Sequence, residues 1–220
     1  MRPTLRHSRG RASALLAAGG VVALGLTACG GGADGGEDTG GGETTGAADS
    51  ETAAGDALAT AELMDPDSSS MGTVTMTQAD GGTEFQISAE NMEPGMYGFH
   101  VHGIGECEPD SANPDDPEDT GDFMSAGGHI AGQEDAEHPD HAGDLPTLLV
   151  NEDGTGTMTV VTDRLTETQL LDDDGAAIMV HSEPDNFANV PDRYAEDGPD
   201  EDTLSTGDAG DRLACGVVEG

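Results

Sequence analysis

The 220-residue chain carries a formal net charge of −38, with 45 acidic residues against seven basic ones, all of them arginine and four of them before residue 12. That balance excludes nucleic acid and anionic membrane surfaces as electrostatic partners for the bulk of the chain. The length suits one domain of about 150 residues with appendages rather than two domains.

Arg2, Arg6, Arg9 and Arg11 form a basic region, residues 12–26 an apolar run interrupted by glycine, and Leu26-Thr27-Ala28-Cys29 a small-residue processing site that ends in cysteine. This pattern resembles a bacterial lipoprotein signal. The resemblance implies that residues 1–28 are removed, that the Cys29 sulfur is lipidated, and that the protein is held by lipid alone on the outer face of the cell membrane. The apolar run is short for a membrane span, which needs roughly 20 residues. Residues 29–62 are mostly Gly, Ala, Thr, Asp and Glu. They bury too little apolar surface to offset chain entropy and read as a disordered tether, leaving 63–220 as the domain. There apolar alternation returns, so its acid is assigned to the surface of a folded, salt-adapted protein. With Cys29 assigned to lipid, Cys107 and Cys215 remain as a pair in an oxidising compartment, where a disulfide is expected.

Within the domain, residues 72–78 and 83–88 alternate as strands around Asp80-Gly81-Gly82, a hairpin turn. Residues 96–102 make a third strand. Residues 147–151 and 156–162 make a second hairpin around Glu152-Asp153-Gly154, and 176–181 and 213–218 complete the set. Only 165–171 reads as a helical turn. Short strands with turn signals predict an all-β antiparallel barrel or sandwich. Two long acidic loops, 103–144 and 182–212, interrupt it, and loops of that length in a compact domain are commonly functional.

The histidines give those loops their meaning. A strand alternates its side chains, so Gly98-Phe99-His100-Val101-His102 places His100 and His102 on one face, able to grip one ion. His129, His138 and His141 with Asp144 lie on the first loop, and His181 ends a strand. Four imidazoles suit copper, and a mixed His/Asp tetrahedron suits zinc; one shared imidazole would let these positions make both sites.

Five segments and one cysteine are similar, in order, to the copper/zinc superoxide dismutase family: GFHVH at 98–102 followed by Cys107, SAGGH at 125–129, H-x-x-H-x-G-D at 138–144, IMVHSEPDNFANVP at 178–191 and TGDAGDRLACGVV at 206–218. The resemblance implies a Greek-key β-barrel, an immunoglobulin-like sandwich of about eight antiparallel strands, with one copper and one zinc per subunit. It implies copper on His100, His102, His129 and His181, and zinc on His129, His138, His141 and Asp144, with His129 bridging. Asp185 would link a copper histidine to a zinc histidine, Arg212 would guide superoxide to copper and hold it, Thr206 would narrow the channel mouth, and Cys107–Cys215 would be the disulfide of the bacterial type. His129 and Arg212 would act in turnover, and the envelope would be protected from oxidative damage.

Two departures stand out. His138 and His141 are only three positions apart, closer than in most members, and Ser205 stands where members usually set a lysine before the channel threonine. Glu196, Asp197, Asp200, Glu201 and Asp202 share that loop, so the expected approach of an anion is opposed by charge unless salt screens it. The alternative function is a copper-binding lipoprotein of the same fold without activity; Arg212 and Thr206 argue against it, since storage needs neither.

Overall fold

The computed structural model describes residues 57–220. The signal segment 1–28, Cys29 and the tether as far as residue 56 lie outside the described residues. Among those described, no helix is long and apolar enough to cross a membrane.

The chain enters the sheet earlier than expected. Strand β1 (Ala57–Met64) begins inside the segment read as tether, which moves the start of the domain from 63 to 57. Its inward positions are Ala59, Ala61 and Leu63, all buried. Alanine has too little side chain to advertise a strand, yet it fits where β1 lies between two neighbours. β2 (Ser70–Ala79) and β3 (Gly82–Ala89) pair through Ala79 and Gly82, so the turn is Asp80-Gly81, with Gly81 at φ 89°. That left-handed conformation favours glycine in two-residue hairpins.

With β5 (Phe99–His102), β9 (Gly156–Thr162), β10 (Ala177–His181) and β11 (Arg212–Val217), these form one seven-stranded sheet in the order β5-β10-β11-β1-β2-β3-β9. Every pairing is antiparallel. β9 returns to β3 and β11 closes against β1, the Greek-key crossings of an all-β barrel. Thr60 and Glu219 exchange both backbone hydrogen bonds at 2.8 Å, tying the chain's last residues to its first strand.

The expected third strand is broken. β4 (Gly95–Tyr97) pairs with β8 (Leu148–Val150), whereas β5 joins the large sheet, and the break falls at Gly98. A Cβ at Gly98 would stand 2.6 Å from the Ala209 Cβ and 3.3 Å from the His181 Cβ, so the chain turns there against the later loop. The expected second hairpin is likewise only a turn. The Asn151 amide donates to the Thr155 carbonyl at 2.8 Å, but beyond it β8 pairs with β4 and β9 with β3. β4 runs into β5 and β8 into β9, so the β4–β8 pair links the two edge strands and curls the sheet towards closure.

The helical turn at 165–171 is present as α1 (Glu167–Leu170), opened by a Thr166/Gln169 capping box. A second helix, α2 (Glu201–Thr206), lies in a segment read as loop. Its N-cap Asp200 accepts the Thr203 amide at 3.0 Å, and Glu201 and Asp202 occupy its first turn, where the helix dipole favours anions. The first long loop carries two minimal strands, β6 (Ser111–Ala112) and β7 (Thr120–Gly121), and a 3-10 turn at Met124–Ala126.

Period-2 alternation decides where the histidines sit. In β5, Phe99 and Val101 enter the barrel core, while His100 and His102 face outward; all four are buried, so the outer face must be covered as well. The cover is a second small core of Phe123, Ala126, Ala177, Met179 and Cys215, with Cys107 packed against it. Cys107 and Cys215 are joined by a disulfide across a separation of 108 residues, which clamps the first long loop to β11.

Candidate metal centre

Three adjacent strands, β5, β10 and β11, set out the outer face on which the histidines gather. His100 lies opposite Met179 of β10, and at the end of β10 His181 lies opposite Arg212 of β11. The free edge of β5 is taken by the first long loop. Val101 donates its amide to the Gly143 carbonyl at 2.9 Å and its own carbonyl accepts the Ile130 amide at 2.9 Å, while Gly103 donates to Gly128 at 3.0 Å. Backbone pairing thereby sets His129 beside His102 and Asp144 beside His100.

Two groups of four residues result, and in each the ligand atoms lie within 4.8 Å of one another: His100, His102, His129 and His181 in one, His100, His129, His138 and Asp144 in the other. The first is the set expected for copper. The second shares three residues with the set expected for zinc; it contains His100, whereas His141 stands just outside it with Nδ1 3.1 Å from an Asp144 oxygen. Asp144 is the focus of that half. His129 Nδ1 lies 2.7 Å and His138 Nδ1 3.1 Å from its carboxylate, and its Oδ2 accepts the His141 amide at 2.9 Å.

Four ring nitrogens turned away from the centre are engaged. His102 Nδ1 donates to the Gly127 carbonyl at 2.8 Å and His181 Nδ1 to the Gly210 carbonyl at 3.2 Å. Asp185 spans both halves: its Oδ2 is 2.9 Å from His100 Nε2 and its Oδ1 is 2.8 Å from His138 Nε2. Gly207, the αL C-cap of α2 at φ 65°, lets the backbone pass directly over that Asp185–His138 contact, where any Cβ would collide with both. The opposite nitrogens His100 Nδ1, His102 Nε2 and His181 Nε2 are buried without a hydrogen-bond partner, while His138 Nδ1 faces the Asp144 carboxylate at 3.1 Å. Three orphaned nitrogens in one place are costly unless something accepts their lone pairs, and a metal does. The donor set of imidazoles and one carboxylate fits copper on one side and zinc on the other.

Protonation follows the same division. Burial, then the neighbouring His129 and His181, hold His102 well below the ordinary histidine range; burial, then His100 and His129, do the same to His181. Burial lowers His129 to about 4 against the opposing hydrogen bond to Asp144. All three are neutral imidazoles near pH 7. On the other side burial also disfavours charge on His138, but hydrogen bonds and charge from Asp144 and Asp185 outweigh it and raise His138 to about 9. Burial pushes both carboxylates up, yet their histidine partners prevail and hold Asp144 and Asp185 far below the usual carboxylate range. The second half thus sets a protonated His138 between two ionised carboxylates, and a cation bound there would displace the His138 Nδ1 proton.

A cleft of about 1190 Å³ reaches His102, His129 and His181 from solvent. Arg212 lines it. Its guanidinium donates to the Phe123 carbonyl at 2.6 Å and the Gly127 carbonyl at 2.8 Å, and burial lowers its pKa while Asp119 opposes the shift. Gly127 therefore accepts from both His102 and Arg212. Thr206 lines the same cleft beside Ser205, its hydroxyl donating to the Asp202 carbonyl at 2.8 Å. Asp115, Asp119, Asp122, Asp202, Asp208 and Asp211 also line it. Sequence reasoning missed the carbonyls of Phe123 and Gly127, which have no side-chain signature.

Residues 70–218 match the family model for copper/zinc superoxide dismutase. A Cu-Zn superoxide dismutase of Mycolicibacterium paratuberculosis is 41% identical over 167 residues, covering 72% of this chain and 73% of that protein. One from Escherichia coli strain K12 is 37% identical over 155 residues, covering 68% and 79%. The solved Cu/Zn superoxide dismutase from Brucella abortus is 31% identical with a TM-score of 0.56, covering 73% of this chain and 98% of that one.

Proposed function

The chain belongs to the copper/zinc superoxide dismutase family, and from that premise we propose that it dismutates superoxide to dioxygen and hydrogen peroxide outside the cytoplasm, protecting the cell envelope. Superoxide dismutase activity with copper and zinc as cofactors is the family's property. The observation that carries the reading here is the set of three buried imidazole nitrogens without partners, His100 Nδ1, His102 Nε2 and His181 Nε2, gathered with His129 in one group. In this reading His100 through Nδ1, and His102, His129 and His181 through Nε2, hold copper; His129, His138 and His141 through Nδ1, with Asp144, hold zinc.

Copper cycling between two oxidation states supplies the one-electron chemistry, and zinc supplies fixed charge without redox. The chain's own residues do the rest. His129 offers Nδ1 to the zinc side and Nε2 to the copper side, so its Nε2 is the atom at which a proton can be carried to reduced product. Asp185 fixes the orientation of His100 and His138 together. Arg212, anchored on two carbonyls, presents the cleft's positive charge to an anion, and Thr206 limits what enters.

The address rests on the N-terminal pattern through Cys29, with Cys107–Cys215 consistent with an oxidising compartment. A copper store of the same fold would need neither Arg212 nor Thr206 in the cleft. The test is metal analysis beside a dismutation assay on the purified protein, repeated with His129→Ala. We expect copper and zinc in the unaltered protein, and a rate at least ~100-fold lower with both metals loosened in the variant. Copper binding without dismutation would favour storage.

A further inference from the structure

We propose that Arg164 is the positioning residue of the zinc half, clamping the short turn that carries His138, His141 and Asp144 onto the barrel; this rests on the zinc assignment above. The guanidinium donates through one nitrogen to the Pro139 carbonyl at 3.0 Å and through another to the Asp144 carbonyl at 3.1 Å. Pro139 directly follows His138 and Asp144 is itself the carboxylate at the focus, so one planar fork spans the turn from end to end. A guanidinium offers donors in a fixed geometry suited to two acceptors at once, which a lysine ammonium does not.

The base of the clamp is fixed. Arg164 follows β9, its amide donates to the Thr162 hydroxyl at 3.2 Å, and the next residue, Leu165, is buried in the core with its carbonyl accepting from Thr83 at 3.0 Å. The far side of the turn is tied to α2, since the His138 amide donates to the Leu204 carbonyl at 2.7 Å. In a chain with 45 acidic residues and seven arginines, Arg164 makes no ion pair within 4.0 Å among the described residues and engages two neutral carbonyls instead. Arg212 does the same on the copper side with Phe123 and Gly127. Each half of the centre has one arginine fork holding the backbone that carries its ligands, and the departure in zinc-ligand spacing coincides with the fork that secures it.

The test uses Arg164→Ala and Arg164→Lys, with cobalt(II) loaded into the zinc half as a spectroscopic probe and copper(II) into the other. We expect Arg164→Ala to release cobalt to a chelator ~10- to 100-fold faster with an altered visible spectrum, to leave the copper(II) spectrum unchanged, and to melt within a few degrees of the unaltered protein when both are metal-free. Arg164→Lys, which keeps the charge and folds if charge is all the fold needs, should recover only part of the cobalt retention. Unchanged cobalt release, or equal loosening of both metals, overturns the clamp. Failure of the unaltered protein to take cobalt at all removes the zinc assignment and the proposal with it.

Discussion

His100, His102 and His181 reach the metal centre from two paired strands, β5 and β10, whereas His138, His141 and Asp144 come from a single turn outside every named strand, with only an isolated bridge from Asp144 to His100. The copper half inherits its geometry from the barrel: shifting His100 means shifting Phe99 and Val101 in the core. The zinc half is assembled from individual hydrogen bonds, to Asp185, Leu204 and Arg164. In the proposed assignment the redox chemistry falls on the stiff side, and the supporting ion on the side that relies on side-chain ties.

Asp185 touches one histidine in each half, so Asp185→Ala sets them against each other. Zinc affinity should fall ~100-fold and copper affinity nearer ~10-fold, read by competition with chelators; equal losses would show that strand anchoring confers no advantage. Arg212→Ala acts on the copper half alone, loosening copper through the lost ties to Phe123 and Gly127 and lowering the dismutation rate per bound copper on the order of tenfold in pulse radiolysis. Replacing Cys107 and Cys215 by serine frees the loop that carries His129. The chain-entropy model allows up to ~4.7 kcal/mol for so long a loop, so the melting temperature should drop by about 5–15 °C. The smallest effect concerns the cleft common to both halves. With six aspartates around Arg212, the rate should rise a few-fold as the Debye length shortens from ~30 Å at 0.01 M salt to ~10 Å at 0.1 M. A steep fall over that range would show that attraction by Arg212 dominates the repulsion.

What was legible in the sequence follows the same division. His100 and His102 announce themselves because a strand's period fixes which face they share, and the Asp80-Gly81 turn fixes its hairpin. β1 was hidden because Ala59 and Ala61 occupy core positions with almost no side chain. The break at Gly98 and the parting of β8 from β9 depend on which distant strand each half joins, and local alternation carries no such information. α2 was hidden because Asp200, Glu201 and Asp202 read as a solvated acidic run, although they are its cap and first turn. The resemblance singled out Arg212 and passed over Arg164, and only the fold shows that both end on carbonyls.

β1 lies between β2 and β11, and Thr60 is bonded to Glu219 as well. Tension arriving from the N-terminal side would run along an interior strand with an antiparallel neighbour on each side. Such a pull loads many hydrogen bonds together in shear instead of peeling them one at a time from an edge. Were the proposed lipid anchor to suspend the barrel by that end, a pull there would leave the histidine-bearing strand β10, two strands away across β11, in place.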